Sequence, residues 1–245
     1  MGTGSFTMSR LGAVVVAFAV ALALLMVPQT TSQAVGAVTG SGPEFGVQFH
    51  GTWGDYDDSE RATVLDALHS NGASTVRIDV SWRMLQPDGP GAFDEWGTSQ
   101  VEAAIAAAEV HGLRPLVTLW MAPSWATGSD DERVPPSTPT ALTAWQDFTA
   151  AMVKRYGDRV DAWEIWNEPN HNDFMRGASP STYAQVLRSA HAGIKSVDPA
   201  ATVVFGGTQY VDVTWVKKVF AAGGTTYDVM GVPPYQAVSD EAPEL

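Results

Sequence analysis

Strand-like and helix-like stretches alternate strictly along this chain from Phe45 onward, and no other feature narrows the fold as much. Phe45 to His50 reads as a first strand. Ser59 to Ser70 reads as a helix, with Ser59 as its cap and Gly72 just past its end. Thr75 to Trp82, Leu113 to Trp120, Val160 to Asn167, Thr202 to Gly207 and Asp228 to Pro233 read as further strands. Helices over Ser99–His111, Thr140–Tyr156, Pro180–Val197 and Asp212–Ala222 separate them. Ser179 caps the helix that begins with Pro180, a residue favoured at the first helical position. Such alternation implies a parallel sheet joined by helical crossovers.

Two features select a barrel over an open sheet. Helix-to-strand connections are short, as in Asn71-Gly72-Ala73-Ser74, whereas strand-to-helix connections such as Arg83 to Thr98 and Met121 to Pro139 are long. Long loops at one end of the strands are where a (β/α)8 barrel builds its site. Strand parity points the same way. In the second strand Val76, Ile78, Val80 and Trp82 form an apolar face, and Arg77, Asp79 and Ser81 a polar one. The first strand sets Gln48 and His50 against Phe45, Val47 and Phe49, and the fourth sets Glu164, Trp166 and Glu168 against Trp163 and Ile165. A parallel strand covered on both faces should be apolar on both, so the polar face suits a lumen leading into a site. A buried Arg77 and Glu164 would have to satisfy each other, because an isolated buried charge costs several kcal/mol. The expected fold is therefore α/β, a (β/α)8 TIM barrel, incomplete, with about six β-α units present. With 245 residues, 45% of them hydrophobic, the chain can bury one large core.

Residues 1–37 read as an export signal and linker, and residues 38–245 as the catalytic domain. Arg10 supplies the positive end, Leu11 to Val27 an unbroken apolar run, and Pro28 a break, before small residues that suit cleavage. A secreted protein is expected; an uncleaved segment anchoring it to a membrane is the alternative, because the run is near the lower limit for a span. A net charge of −13 argues against nucleic-acid or anionic-membrane partners. There is no cysteine, hence no disulfide framework or thiolate metal site. No phosphate loop, Ser-His-Asp set or His/carboxylate metal pattern is present, and no cofactor or metal is expected.

The chemistry concentrates in Trp163-Glu164-Ile165-Trp166-Asn167-Glu168-Pro169-Asn170. The residue before a proline favours extended geometry, which predicts Glu168 at the strand's last pleat. A carboxyl and an amide side by side at a strand end suit a cleft, one moving a proton and the other holding a hydroxyl. This octapeptide on a fourth strand, with Arg77 on a second, resembles clan A glycoside hydrolases, above all the cellulase-like family 5 and the xylosidase-like family 39. The resemblance covers about Phe45 to Gln236. It implies a barrel that hydrolyses β-glycosidic bonds with retention, with Glu168 as general acid/base. Asn167 would bind the hydroxyl next to the reacting carbon, Arg77 would support the nucleophile, and Tyr235 would approach it. The clan's nucleophile is a Glu ending a seventh strand, and the sequence stops at Leu245, just after the sixth. Glu241 and Glu244 follow Tyr235 too closely to lie on another strand. Pro233 stands where relatives usually carry His.

Further readings complete the expected site. His50, Trp53, Trp120, Trp125, Trp166 and Tyr235 are taken as substrate-binding, since several of the nine tryptophans fall in loops, where aromatic faces stack on sugar rings. Asp130-Asp131-Glu132 reads as a solvated loop, and His171 as cleft rim. The substrate would be a β-linked oligo- or polysaccharide, and the complete protein a monomer. The alternatives are a non-catalytic carbohydrate-binding barrel and a transglycosylase.

Overall fold

The computed structural model describes Met1 and residues 44–232. Six parallel strands form one sheet in the order β1-β2-β3-β4-β5-β6. They are β1 (Gly46–Phe49), β2 (Thr75–Ser81), β3 (Arg114–Trp120), β4 (Ala162–Ile165), β5 (Thr202–Phe205) and β6 (Val229–Met230). Each strand pairs with its neighbour in sequence, with no reversal of order. An open doubly wound sheet reverses direction at a switch point; continuous winding is that of a (β/α)8 TIM barrel, of which six strands and the helices between them are described. The residues read as an export signal and linker fall outside the described residues, Met1 apart, as do Pro233 and Tyr235. No helix among the described residues is long and apolar enough to cross a membrane.

The helices follow from caps and periodicity. They are α1 (Asp58–Ser70), α2 (Trp82–Leu85), α3 (Glu95–Val110), α4 (Ser124–Thr127), α5 (Pro139–Tyr156), α6 (Pro180–Val197) and α7 (Val213–Ala221). The expected cap of α1 is corrected from Ser59 to Asp57, which forms a reciprocal capping box with Glu60. Helix α3 begins at Glu95 rather than Ser99, because Asp94 accepts from the Gly97 amide. Gly97 is needed there: a Cβ would meet the Met84 carbonyl oxygen at 2.5 Å. The short helices α2 and α4 lie inside strand-to-helix loops and are one turn each, too short to show a helical period.

Parity is as the alternation requires. Val76, Ile78, Val80, Val117, Leu119, Trp163, Ile165, Val203 and Phe205 are all buried. On the opposite face, register places Asp79, Thr118, Glu164 and Val204 in one row and Gln48, Arg77 and Leu116 in the row beneath. Side chains of alternate strands stack in such layers inside a barrel. Four tryptophans, Trp82, Trp145, Trp163 and Trp166, are fully buried, so much of the aromatic content packs the core rather than a ligand.

Candidate active site

Arg77 is the hub of the lumen face. Its Nε and Nη2 lie 2.7 and 2.6 Å from Glu164 Oε2, and Nη1 lies 3.3 Å from Asp79 Oδ1. The pairing expected of Arg77 and Glu164 is present. Thr118 donates to the same Glu164 oxygen at 2.6 Å, and the Gly207 amide reaches Oε1 at 3.4 Å. Arg77 also donates to the Gln48 carbonyl oxygen, while Gln48 Nε2 donates to Asp79 Oδ2 at 2.9 Å. Asp79 is 3% exposed. Burial pushes its carboxyl up from the ordinary aspartate range, against the pull of Arg77 and His50. Two buried carboxylates thus share one guanidinium, and both stay tolerable only because every oxygen has donors.

This network orients the groups above it. Arg77 Nη2 donates to Asn167 Oδ1 at 3.0 Å, which leaves the Asn167 amide nitrogen as the free donor. His50 Nδ1 lies 2.8 Å from Asp79 Oδ2. A carboxylate acceptor calls for the proton on Nδ1, so Nε2 is left to meet a ligand. Trp53, 46% exposed, packs on the His50 ring with centroids 4.4 Å apart.

Glu168 stands apart from these partners. Strand β4 ends at Ile165, so Glu168 is not on the last pleat as expected. Trp166 and Glu168 take positive φ values of 68° and 39°, a sparsely populated region for residues other than glycine. The reason lies in the core. Trp166 turns inward, packs on Trp145 with centroids 6.2 Å apart, and donates its indole N–H to the Phe174 carbonyl at 2.9 Å. Fully buried, Trp166 belongs to the scaffold and not to a sugar site. Tyr183 fixes the same turn. Its hydroxyl donates to the Ile165 carbonyl at 3.0 Å and accepts from the Gly206 amide at 2.8 Å, joining the ends of β4 and β5. Asn170 spans the loops that follow them, accepting from the Gln209 amide at 2.7 Å and donating to its carbonyl at 3.0 Å.

The turn delivers Glu168 into a cleft of about 750 Å³, whose lining includes His50, Trp53, Arg77, Trp120, Asn167 and Glu168. Glu168 Oε2 is buried with no partner among the described residues. Burial pushes the carboxyl above the ordinary glutamate range, outweighing the pull of His171 and Arg77. A carboxyl in that condition holds its proton longer than one in water. Of the other expected residues, Trp125 is not brought to this cleft. Its indole donates to the Gln86 carbonyl at 2.7 Å, and it packs edge-on against Trp82 with centroids 5.3 Å apart. Tyr235 lies outside the described residues. The Asp130–Glu132 loop is less free than expected, since Arg133 and Arg176 hold Asp131 at 2.7 and 3.2 Å and keep it well below the usual carboxylate range, Arg133 most of all. Gln48 and Thr118 were not singled out from sequence. Their place on the polar face beside Arg77 and Glu164 was the available signal.

Comparison with known proteins gives a consistent set. The family described as cellulase (glycosyl hydrolase family 5) matches residues 36–233. Beta-glucosidase 40 of Arabidopsis thaliana is 29% identical over 144 residues, which cover 54% of this chain and 28% of the plant protein. A family 39 glycoside hydrolase from the gut symbiont Bacteroides cellulosilyticus WH2 has a TM-score of 0.63 and 26% identity, covering 79% of this chain and 38% of that one. The exo-beta-1,4-mannosidase Op5Man5 from Opitutaceae bacterium strain TAV5 has a TM-score of 0.55 at 23% identity, covering 66% of this chain and 31% of that one. At that identity the likeness speaks for the fold alone. The chain spans well under half the length of each of these relatives.

Proposed function

Because the chain belongs to the cellulase family, glycosyl hydrolase family 5, we propose that it acts as a glycosidase on β-linked oligo- or polysaccharides. It works by a retaining mechanism, with Glu168 as general acid/base. Residues 38–245 contribute to the catalytic domain, and residues 1–37 direct export. The observation that carries this reading is the unpartnered, half-buried Glu168 carboxyl, raised in pKa and lining the cleft.

Chemistry follows from that position. A general acid must hold its proton near neutral pH and release it to the departing glycosidic oxygen. Glu168 meets the first demand through burial. Asn167, with its carbonyl oxygen occupied by Arg77, offers N–H to the hydroxyl beside the reacting carbon. His50 and Trp53 supply an acceptor and an aromatic face on the β1 side. Retention requires a second, ionised carboxylate about 5–5.5 Å from the acid. Asp79 and Glu164 are committed to Arg77, so neither is assigned that role. The attacking group is expected from a strand other than the six described. Once the glycosyl-enzyme forms, ionised Glu168 takes a proton from water, which attacks the same carbon and releases the sugar.

The test is Glu168→Gln in the full-length protein. Turnover should fall about 10²-fold or more on glycosides with poor leaving groups, and the first step should suffer less with activated phenols. Azide should restore turnover of the activated substrates as the glycosyl azide. Equal loss on both kinds with no azide rescue would overturn the assignment. Product analysis with an added acceptor sugar separates hydrolysis from transglycosylation.

A further inference from the structure

Among the described residues only a few buried side-chain polar atoms lack a partner, and two of them line the same cleft: Glu168 Oε2 and Trp120 Nε1. The first is explained by acid catalysis. The second is not. A buried indole N–H left unsatisfied costs on the order of 1–3 kcal/mol, and buried tryptophans usually find an acceptor. Trp82, Trp125, Trp145 and Trp166 all do so here, donating to Gln86 Oε1 and to the carbonyls of Gln86, Val186 and Phe174. Trp120, at 5% exposure, has no such acceptor among the described residues.

Its position says what the donor could serve. Trp120 ends β3, level with Ser81 of β2. It therefore stands between the strand that carries Arg77 and Asp79 and the strand that leads to Asn167. Phe174 packs against its ring, with centroids 6.2 Å apart and planes tilted by 40°, so part of the aromatic surface is already covered. Face-on stacking, the usual role of a cleft tryptophan, is thereby limited, while the N–H edge is unused.

We propose that Trp120 is a specificity-determining residue that binds one ring hydroxyl of the substrate through its indole N–H, acting by its edge rather than by stacking. This rests on the glycosidase reading. Asn167 and Trp120 would then read two hydroxyls of one sugar ring while Glu168 addresses the leaving oxygen. A site built to hydrogen-bond a hydroxyl rejects the analogue that lacks it more strongly than an apolar pocket rejects an extra group.

The experiment uses the protein carrying the further β-α units that supply the attacking group, in three forms: wild type, Trp120→Phe, and Trp120 replaced by 3-benzothienylalanine. The last keeps the ring volume and lacks the N–H, so it covers the case in which the phenylalanine variant does not fold. Methyl β-glycosides of glucose, mannose and xylose are screened by calorimetric titration, and the corresponding aryl glycosides by turnover. The preferred sugar is then compared with its monodeoxy analogues. Removing the N–H should weaken binding and lower kcat/KM roughly tenfold on the parent sugar, with little further loss on one particular deoxy analogue. Uniform loss across the deoxy series would mean that the N–H serves the fold or an internal water, and would overturn the proposal. So would an unchanged parent constant, or a shift confined to the basic limb of the pH profile, which would make Glu168 the acceptor. If no sugar binds and none is hydrolysed by the wild type, the glycosidase reading falls first and takes this proposal with it.

Discussion

At position 168 a carboxyl group sits at a φ of 39° with one oxygen buried and unpartnered. Both features oppose folding. Because burial raises the folded-state pKa of Glu168, the native protein binds its proton more tightly than the unfolded chain does. Stability is therefore lost as pH rises through the window from the ordinary glutamate value to the raised one. Glu168→Gln should melt higher than wild type at neutral pH, and the gap should close in acid, where the carboxyl is protonated in both states. Thermal melts from pH 4 to 8 check this; a gap that persists unchanged into acid would refute it. Arg77 predicts the opposite sign. Arg77→Met leaves Asp79 and Glu164 buried without their shared cation, a change of about 3–5 kcal/mol. The melting temperature should drop along with activity, and a variant that melts like wild type would show that the carboxylates do not depend on it.

Elements carry their own test at the contact of α5 and α6. Gly193 lies in α6 where a Cβ would meet the Gln146 carbonyl oxygen at 2.3 Å and Thr149 Oγ1 at 2.4 Å. Helix propensity alone predicts that alanine stabilises by about 1 kcal/mol. Overpacking predicts a loss of about 1–3 kcal/mol, and the short distance to backbone decides for the loss. Denaturant titration of Gly193→Ala gives the sign directly. The same competition between local and tertiary forces explains what sequence could and could not reveal. All six strands and the five long helices were legible, because period-2 and period-3.6 patterns and capping residues are local. The four-residue helices α2 and α4 were not, since one turn carries no periodicity. Nor was the turn at Trp166 to Glu168. Pro169 locally favours an extended Glu168, but the burial of Trp166 against Trp145, seen only in three dimensions, sets a different backbone. Trp125 was misread for a similar reason, its indole being claimed by the Gln86 carbonyl in a neighbouring loop.

For the whole molecule, the described sheet has β1 at one edge and β6 at the other. Unpaired strand edges invite pairing with other chains. A polypeptide limited to residues 38–245 should self-associate and be essentially inactive on β-glycosides, whereas one carrying further β-α units should be monomeric. Size-exclusion chromatography with a glycosidase assay on both would decide, and a monodisperse, active 38–245 polypeptide would contradict it. Across the lumen, the pairing of Arg77 with Glu164 was legible from parity; parity also put Gln48 and Thr118 on the polar face, but their partners needed the register. The seam where Tyr183 clamps the ends of β4 and β5 bears on how this protein tolerates genetic drift. A Cβ at Gly206 would stand 2.5 Å from the carbonyl oxygens of Ile165 and Trp166, and Tyr183→Phe would strand the groups its hydroxyl joins. In a saturation library selected for turnover, positions 183 and 206 should be as depleted of variants as position 168, though neither is proposed to touch sugar. Inheritance would thus guard the hinge of the acid as closely as the acid itself.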